Sequence, residues 1–122
     1  MFEAQILFKG TTIYSPWFPR QADNARMTAE VVAVSGATLK VELFTKNKED
    51  AGDGTNADSA GTPTNITLSA AGRTTTEWLS RSTIGLKELV RFKFTVTGTN
   101  NYDWTLFRML APVWFDSVST ST

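Results

Sequence analysis

The chain has 122 residues, 41% of them hydrophobic and 20% charged, and its 12 basic and 12 acidic side chains leave no net charge. That length fits one domain with a core of its own, and a balanced charge with no run of Lys or Arg argues against a nucleic-acid partner. Cys and His are both missing, which excludes disulfide frameworks, zinc ribbons, thiol catalysis and the commonest general base.

Residues 1–10 hold Glu3 and Gln5 and lack the basic and apolar regions of a secretory signal. No stretch approaches the roughly 18 to 20 apolar residues of a membrane-spanning helix. The expectation is a soluble protein made in the cytosol without a cleaved leader, and with no membrane partner. Phe2, Ala4, Ile6 and Phe8 alternate with Glu3, Gln5 and Lys9, the period of a half-buried strand. Gly10 interrupts it, and residues 11–15 read as a second extended piece that continues the strand after a bulge.

Residues 15–20 read SPWFPR. Pro16 and Pro19 fix φ and remove two backbone donors, so this is an extended connection holding two large rings. Residues 26–35 and 37–46 are two strand-like runs joined by Ser35 and Gly36, and they predict a β-hairpin with a tight turn. Residues 47–63 are rich in Asp, Gly, Asn and Ala and predict a long, mobile surface loop. Ile66 and Leu68 mark a further strand, Ala71 and Gly72 a turn, and residues 74–80 a Thr-rich strand with Trp78 and Leu79. Residues 81–87 read as irregular. Residues 88–97 give the cleanest alternation, with Val90, Phe92, Phe94 and Val96 on one side. GTNN at residues 98–101 is a strong turn. Residues 102–111 form a strand apolar on both faces, ended by Pro112, and an aromatic segment follows to residue 118.

About eight short strands with no helix predict an all-β fold, a two-sheet antiparallel sandwich of jelly-roll-like form. Residues 1–118 are assigned to a single β-sandwich domain and 119–122 to a frayed tail. No repeat is visible.

Catalysis without His or Cys needs paired carboxylates or Ser with Lys. Glu30, Glu42, Glu77, Glu88, Asp103 and Asp116 scatter over solvent-type positions, and no pair stands out, so no enzyme is expected. Glu49, Asp50, Asp53, Asn56 and Asp58 form an oxygen-rich loop, but their spacing is not that of an EF-hand. A solvated loop is the reading there, and no metal or cofactor is expected. The aromatics carry more information. Phe92, Phe94 and Trp104 are assigned to the core. Trp17 and Phe18 are adjacent in an extended segment, so one ring points inward and the other outward toward a partner. Arg108 lies among Leu106, Phe107, Met109 and Leu110, and it pairs with a carboxylate, snorkels to solvent, or projects into a subunit contact. The candidate interface is therefore Pro16, Trp17, Phe18, Pro19, Arg20, Arg108, Trp114 and Phe115.

The SPWFPR segment with Asp23 and Asn24, VSGATLKVELFTKN at 34–47, GLKELVRFKFTV at 85–96 and FRMLAPVWF at 107–115 together resemble small β-sandwich proteins encoded among phage structural genes. The resemblance spans most of the chain and rests on packing motifs. It implies a virion protein of the head-decoration or cement kind, clamping the major capsid protein or other virion proteins as a homo-oligomer, with a trimer favoured. The rival is a carbohydrate-binding β-sandwich, free or as a tail or fibre component. A planar row of exposed Trp favours sugar, whereas a hydrophobic edge or arm closing on neighbouring copies favours assembly.

Overall fold

The computed structural model describes residues 4–22, 24–52, 54–56, 66–78 and 87–116. Phe2, Glu3, Asp23, Asp53, Asp58, Leu79, the stretches 57–65 and 79–86, and the tail from 117 onward lie outside the described residues. The described strands are β1 (Gln5–Phe8), β2 (Thr12–Tyr14), β3 (Phe18–Pro19), β4 (Asn24–Ser35), β5 (Thr38–Lys46), β6 (Thr55–Asn56), β7 (Ile66–Leu68), β8 (Gly72–Trp78), β9 (Leu89–Thr97), β10 (Trp104–Met109) and β11 (Val113–Phe115). Every pairing between them is antiparallel.

They form two sheets. In the first, β4 is central. Ala25 and Arg26 pair with both β8 and β11, and residues 29–31 pair with both β8 and β10. A strand has only two edges, so β10 and β11 share one side of β4 and β8 takes the other, with β1 outside β10. In the second sheet β9 and β5 are central. Short β2 and β3 share the outer side of β9, and β6 and β7 share the outer side of β5. Counting each shared side as one strand leaves eight, ordered 1-8-3-6 in one sheet and 2-7-4-5 in the other. That is the jelly-roll order, and the expected two-sheet antiparallel sandwich stands.

The core lies between the sheets. β9 buries Val90, Phe92, Phe94 and Val96, as its alternation predicts, and β5 buries Leu39, Val41 and Leu43 opposite Ala25, Met27, Ala29 and Val31 of β4. Phe94 stacks at 5.1 Å from Phe107 and 5.9 Å from Phe92, so rings from both sheets meet at the centre.

Four sequence expectations change. The runs 26–35 and 37–46 are no hairpin: β4 and β5 belong to different sheets and face each other across the core. Both strands bury one face on the same core, a condition that a hairpin within one sheet would meet equally, so the alternation alone did not separate the two. Gly36 makes the crossover at φ 71°, and a Cβ there would sit 2.7 Å from Asp103 Oδ1. In the same way β2 does not continue β1 but enters the other sheet after Gly10, at φ 84°. Finally, β1 turns the opposite face inward. Leu7 packs on the core, while Ile6 and Phe8 remain 55% and 51% exposed. Trp104 likewise lies outside the buried set, half-buried on the outward side of β10 beside buried Thr105.

Candidate functional site

The Pro-bounded segment leaves β2 at Ser15. The buried Ser15 hydroxyl accepts the Phe92 amide at 2.9 Å and donates to Pro16 O at 3.1 Å. A side chain thus completes the ladder where the chain bends toward Pro16, which has no amide to give. Trp17 and Phe18 then point to opposite faces. Phe18 packs against the core, 5.7 Å from Phe92 and edge-on to Trp114 at 6.5 Å. Phe18 and Trp114 therefore meet inside the chain. Trp17 lies on the outer face of the second sheet, where the Arg91 guanidinium and the Lys46 ammonium sit 4.5 and 4.8 Å from its ring centre. Gly54 abuts its edge: a Cβ there would be 2.9 Å from Trp17 Cη2. Pro16, Pro19 and Arg20 are exposed around these rings. Below the segment, Gln5, Ile13, Ser15, Pro16, Phe94 and Phe107 line a mainly apolar cavity of about 300 Å³.

Arg108 and Phe115 stand on the outer face of the first sheet, away from the Trp17 face. The Arg108 guanidinium donates to Glu30 Oε1, and Arg73 Nε donates to Glu30 Oε2 at 2.6 Å. Next along the face, Thr28 and Thr75 share a hydrogen bond at 2.8 Å, and Arg26 pairs with Glu77 at 2.9 Å while lying 5.7 Å from the Phe115 ring centre. Hydrogen bonds from Arg73, then Arg108, hold the Glu30 carboxyl below the usual carboxylate range. The eight candidate residues thus fall into two groups on different sheets.

Four further sequence-named acids have partners. Asp103 is buried, and its Oδ2 accepts the Thr99 and Asn100 amides. Glu88 accepts the Lys48 amide and Asp50 the Asn47 amide. Glu42 lies 3.9 Å from Lys40. Among the described residues no group of three or more acidic side chains gathers as a metal site, and no helix is long and apolar enough to cross a membrane.

Two surfaces escaped the sequence. The first runs along β1. Ile6 is opposite Leu106 and Phe8 opposite Trp104, and register partners share a face. Val32 extends this strip at 49% exposure, placed there by the irregularity that sets Leu106 opposite Ala33 and Phe107 opposite Val31. β1 is an edge strand, with β10 its sole strand partner among the described residues. The second surface is the outer face of the β2–β9–β5 sheet. Arg91 lies 4.1 Å from the Tyr14 ring centre as well as over Trp17, and Lys93 lies 5.8 Å from Tyr14 and 5.6 Å from Phe44. Tyr14 meets Phe44 edge-on at 6.5 Å. The alternating polar residues of β5 and β9 were the visible signal, but only the pairing of those strands brings them together.

Comparison with known proteins returns no match: no family model, no curated protein and no solved structure is similar to this chain.

Proposed function

We propose that this chain is a non-catalytic structural protein of the virion, a capsid decoration protein that adds to the head shell as a homo-oligomer, with a trimer favoured. One observation carries the reading: a half-exposed apolar strip on an open sheet edge. Natural sheets blunt such edges with Lys, Pro, bulges or a covering element, because an open edge templates pairing with another chain. Here β1 reads QILF and turns Ile6 and Phe8 outward beside Trp104 and Leu106. Closing this strip against a neighbouring copy removes apolar area from water, and symmetry repeats the gain at every contact.

The carbohydrate reading has less support. Sugar stacking needs a free flat ring. The Trp17 ring has Arg91 and Lys46 over it, Trp114 packs on the core, and half-buried Trp104 stands on the other sheet from Trp17, so these three rings form no planar row.

The test is sedimentation velocity on the purified protein and on Ile6→Lys with Phe8→Lys, alongside binding to isolated phage heads. The expected result is a wild-type oligomer and a variant that sediments as a monomer with an unchanged melting temperature. An oligomer that survives both substitutions overturns the edge assignment. A wild-type monomer at high micromolar concentration with no affinity for any shell overturns the function.

A further inference from the structure

The chain is neutral overall, yet its two outer faces are not alike. On the first sheet each ladder carboxylate is matched, Glu30 by Arg73 and Arg108 and Glu77 by Arg26. On the second sheet the residues alternating outward along β5 and β9 include Lys40, Lys46, Arg91 and Lys93 against the single carboxylate of Glu42. Along these two strands, among the described residues, four cations stand against one anion, with Asp50 beside Lys46 and Glu88 just before β9 bordering one end of the face. Tyr14, Trp17 and Phe44 are set among the cations.

From this geometry we infer that the outer face of the β2–β9–β5 sheet docks an acidic protein surface, its cations meeting carboxylates on the partner. Arg91 lies over both Tyr14 and Trp17, and Lys46 and Lys93 lie over Trp17 and over Tyr14 with Phe44. Rings that support the long stems hold the charged heads in place before binding, so less side-chain freedom is lost when a carboxylate arrives. Arg and aromatic residues together are also the composition of protein contact surfaces. A single-stranded nucleic acid would offer charge of the right sign, but it binds such faces by laying bases flat on aromatic rings. Here cations already lie over the rings of Trp17 and Tyr14. The carboxylate partner uses the cations and needs no ring face. This surface is on the opposite sheet from the β1 strip and is independent of the self-association proposed above.

The experiment measures binding of the full chain to a fluorescein-labelled Glu/Asp-rich peptide and to a labelled oligothymidylate at low ionic strength. The proteins are wild type, Lys46→Glu and Lys93→Glu singly and together, and Lys9→Glu, on the turn after β1, as a control matched in charge to each single reversal. Lys46→Gln and Lys93→Gln, each paired with a thermal melt, separate lost binding from lost folding. The expected result is peptide binding that the double reversal weakens about tenfold or more, each Gln variant about threefold, and the control little, with all binding falling as salt is added. The double variant keeps the wild-type oligomeric state, so failure here is distinct from failure of the edge assignment. Peptide binding that is absent, or insensitive to both reversals, overturns the inference. Tighter, reversal-sensitive binding of the oligothymidylate overturns the choice of partner.

Discussion

Thr105 faces the core with its hydroxyl buried and without a hydrogen-bond partner among the described residues. A buried polar group without a partner carries a desolvation cost of about 1–3 kcal/mol. Thr105→Val keeps the shape and removes the hydroxyl, so it should raise stability by about 1 kcal/mol, read as a shift of the urea midpoint at constant slope. Glu30 makes a pH prediction. Its carboxyl is held low by Arg73 and Arg108. A group with a depressed folded pKa stabilises the fold above its unfolded value, and the contribution is lost as pH falls below the ordinary carboxylate range and through the folded value. Wild type should therefore lose stability on acidification below about pH 4.5 more steeply than Glu30→Gln. Parallel melting curves for the two proteins across that range would remove the ladder as an acid-sensitive element. Gly36 is the third such residue. Its left-handed backbone and the Asp103 carboxylate against it leave no room for a methyl group, and Gly36→Ala should cost about 1–3 kcal/mol in the same urea titration.

At the scale of elements, the segment 15–20 divides its two rings between two jobs. Phe18 is part of the core and Trp17 is a surface ring beneath two cations. Phe18→Ala should cost about 3 kcal/mol, and Trp17→Ala about 1 kcal/mol. Equal losses by chemical denaturation would mean that Trp17 is core as well. The alternation of residues in this segment was legible, because neighbours in extended chain point opposite ways; which ring went inward was not, because both are large and apolar. The same ambiguity explains β1. Period two marks a strand with two unlike faces, and the apolar face is normally the buried one, but at the edge of this sheet Leu7 is the side chain that reaches the core. For β9 no such conflict exists: its inward side is wholly apolar and its outward side wholly polar from Val90 to Val96, so strand and face were both readable.

For the whole molecule, sandwich class followed from short strands at regular spacing, while connectivity did not. Ser35 and Gly36 suit a hairpin turn and an intersheet crossover equally well, since both need a residue with φ above zero. Period two also says nothing about which sheet a strand joins. The cationic face was hidden for a related reason. Tyr14, Phe44 and Arg91 are far apart in the chain and meet only because β2 and β5 flank β9. The two unlike faces and the open β1 edge place three surfaces in fixed relation on one rigid sandwich. In the proposed particle role, that separation would let the protein hold its own copies and a second partner at once.

The jelly-roll order has a consequence in time as well as space. β1 pairs only with β10 among the described residues, with Gln5 opposite Phe107, so β1 leaves a ribosome long before the strand it pairs with. At roughly 5–20 residues per second, the intervening ~100 residues keep β1 waiting for about 5–20 s. During that interval the same outward Ile6 and Phe8 are presented to every neighbouring nascent chain on a polysome.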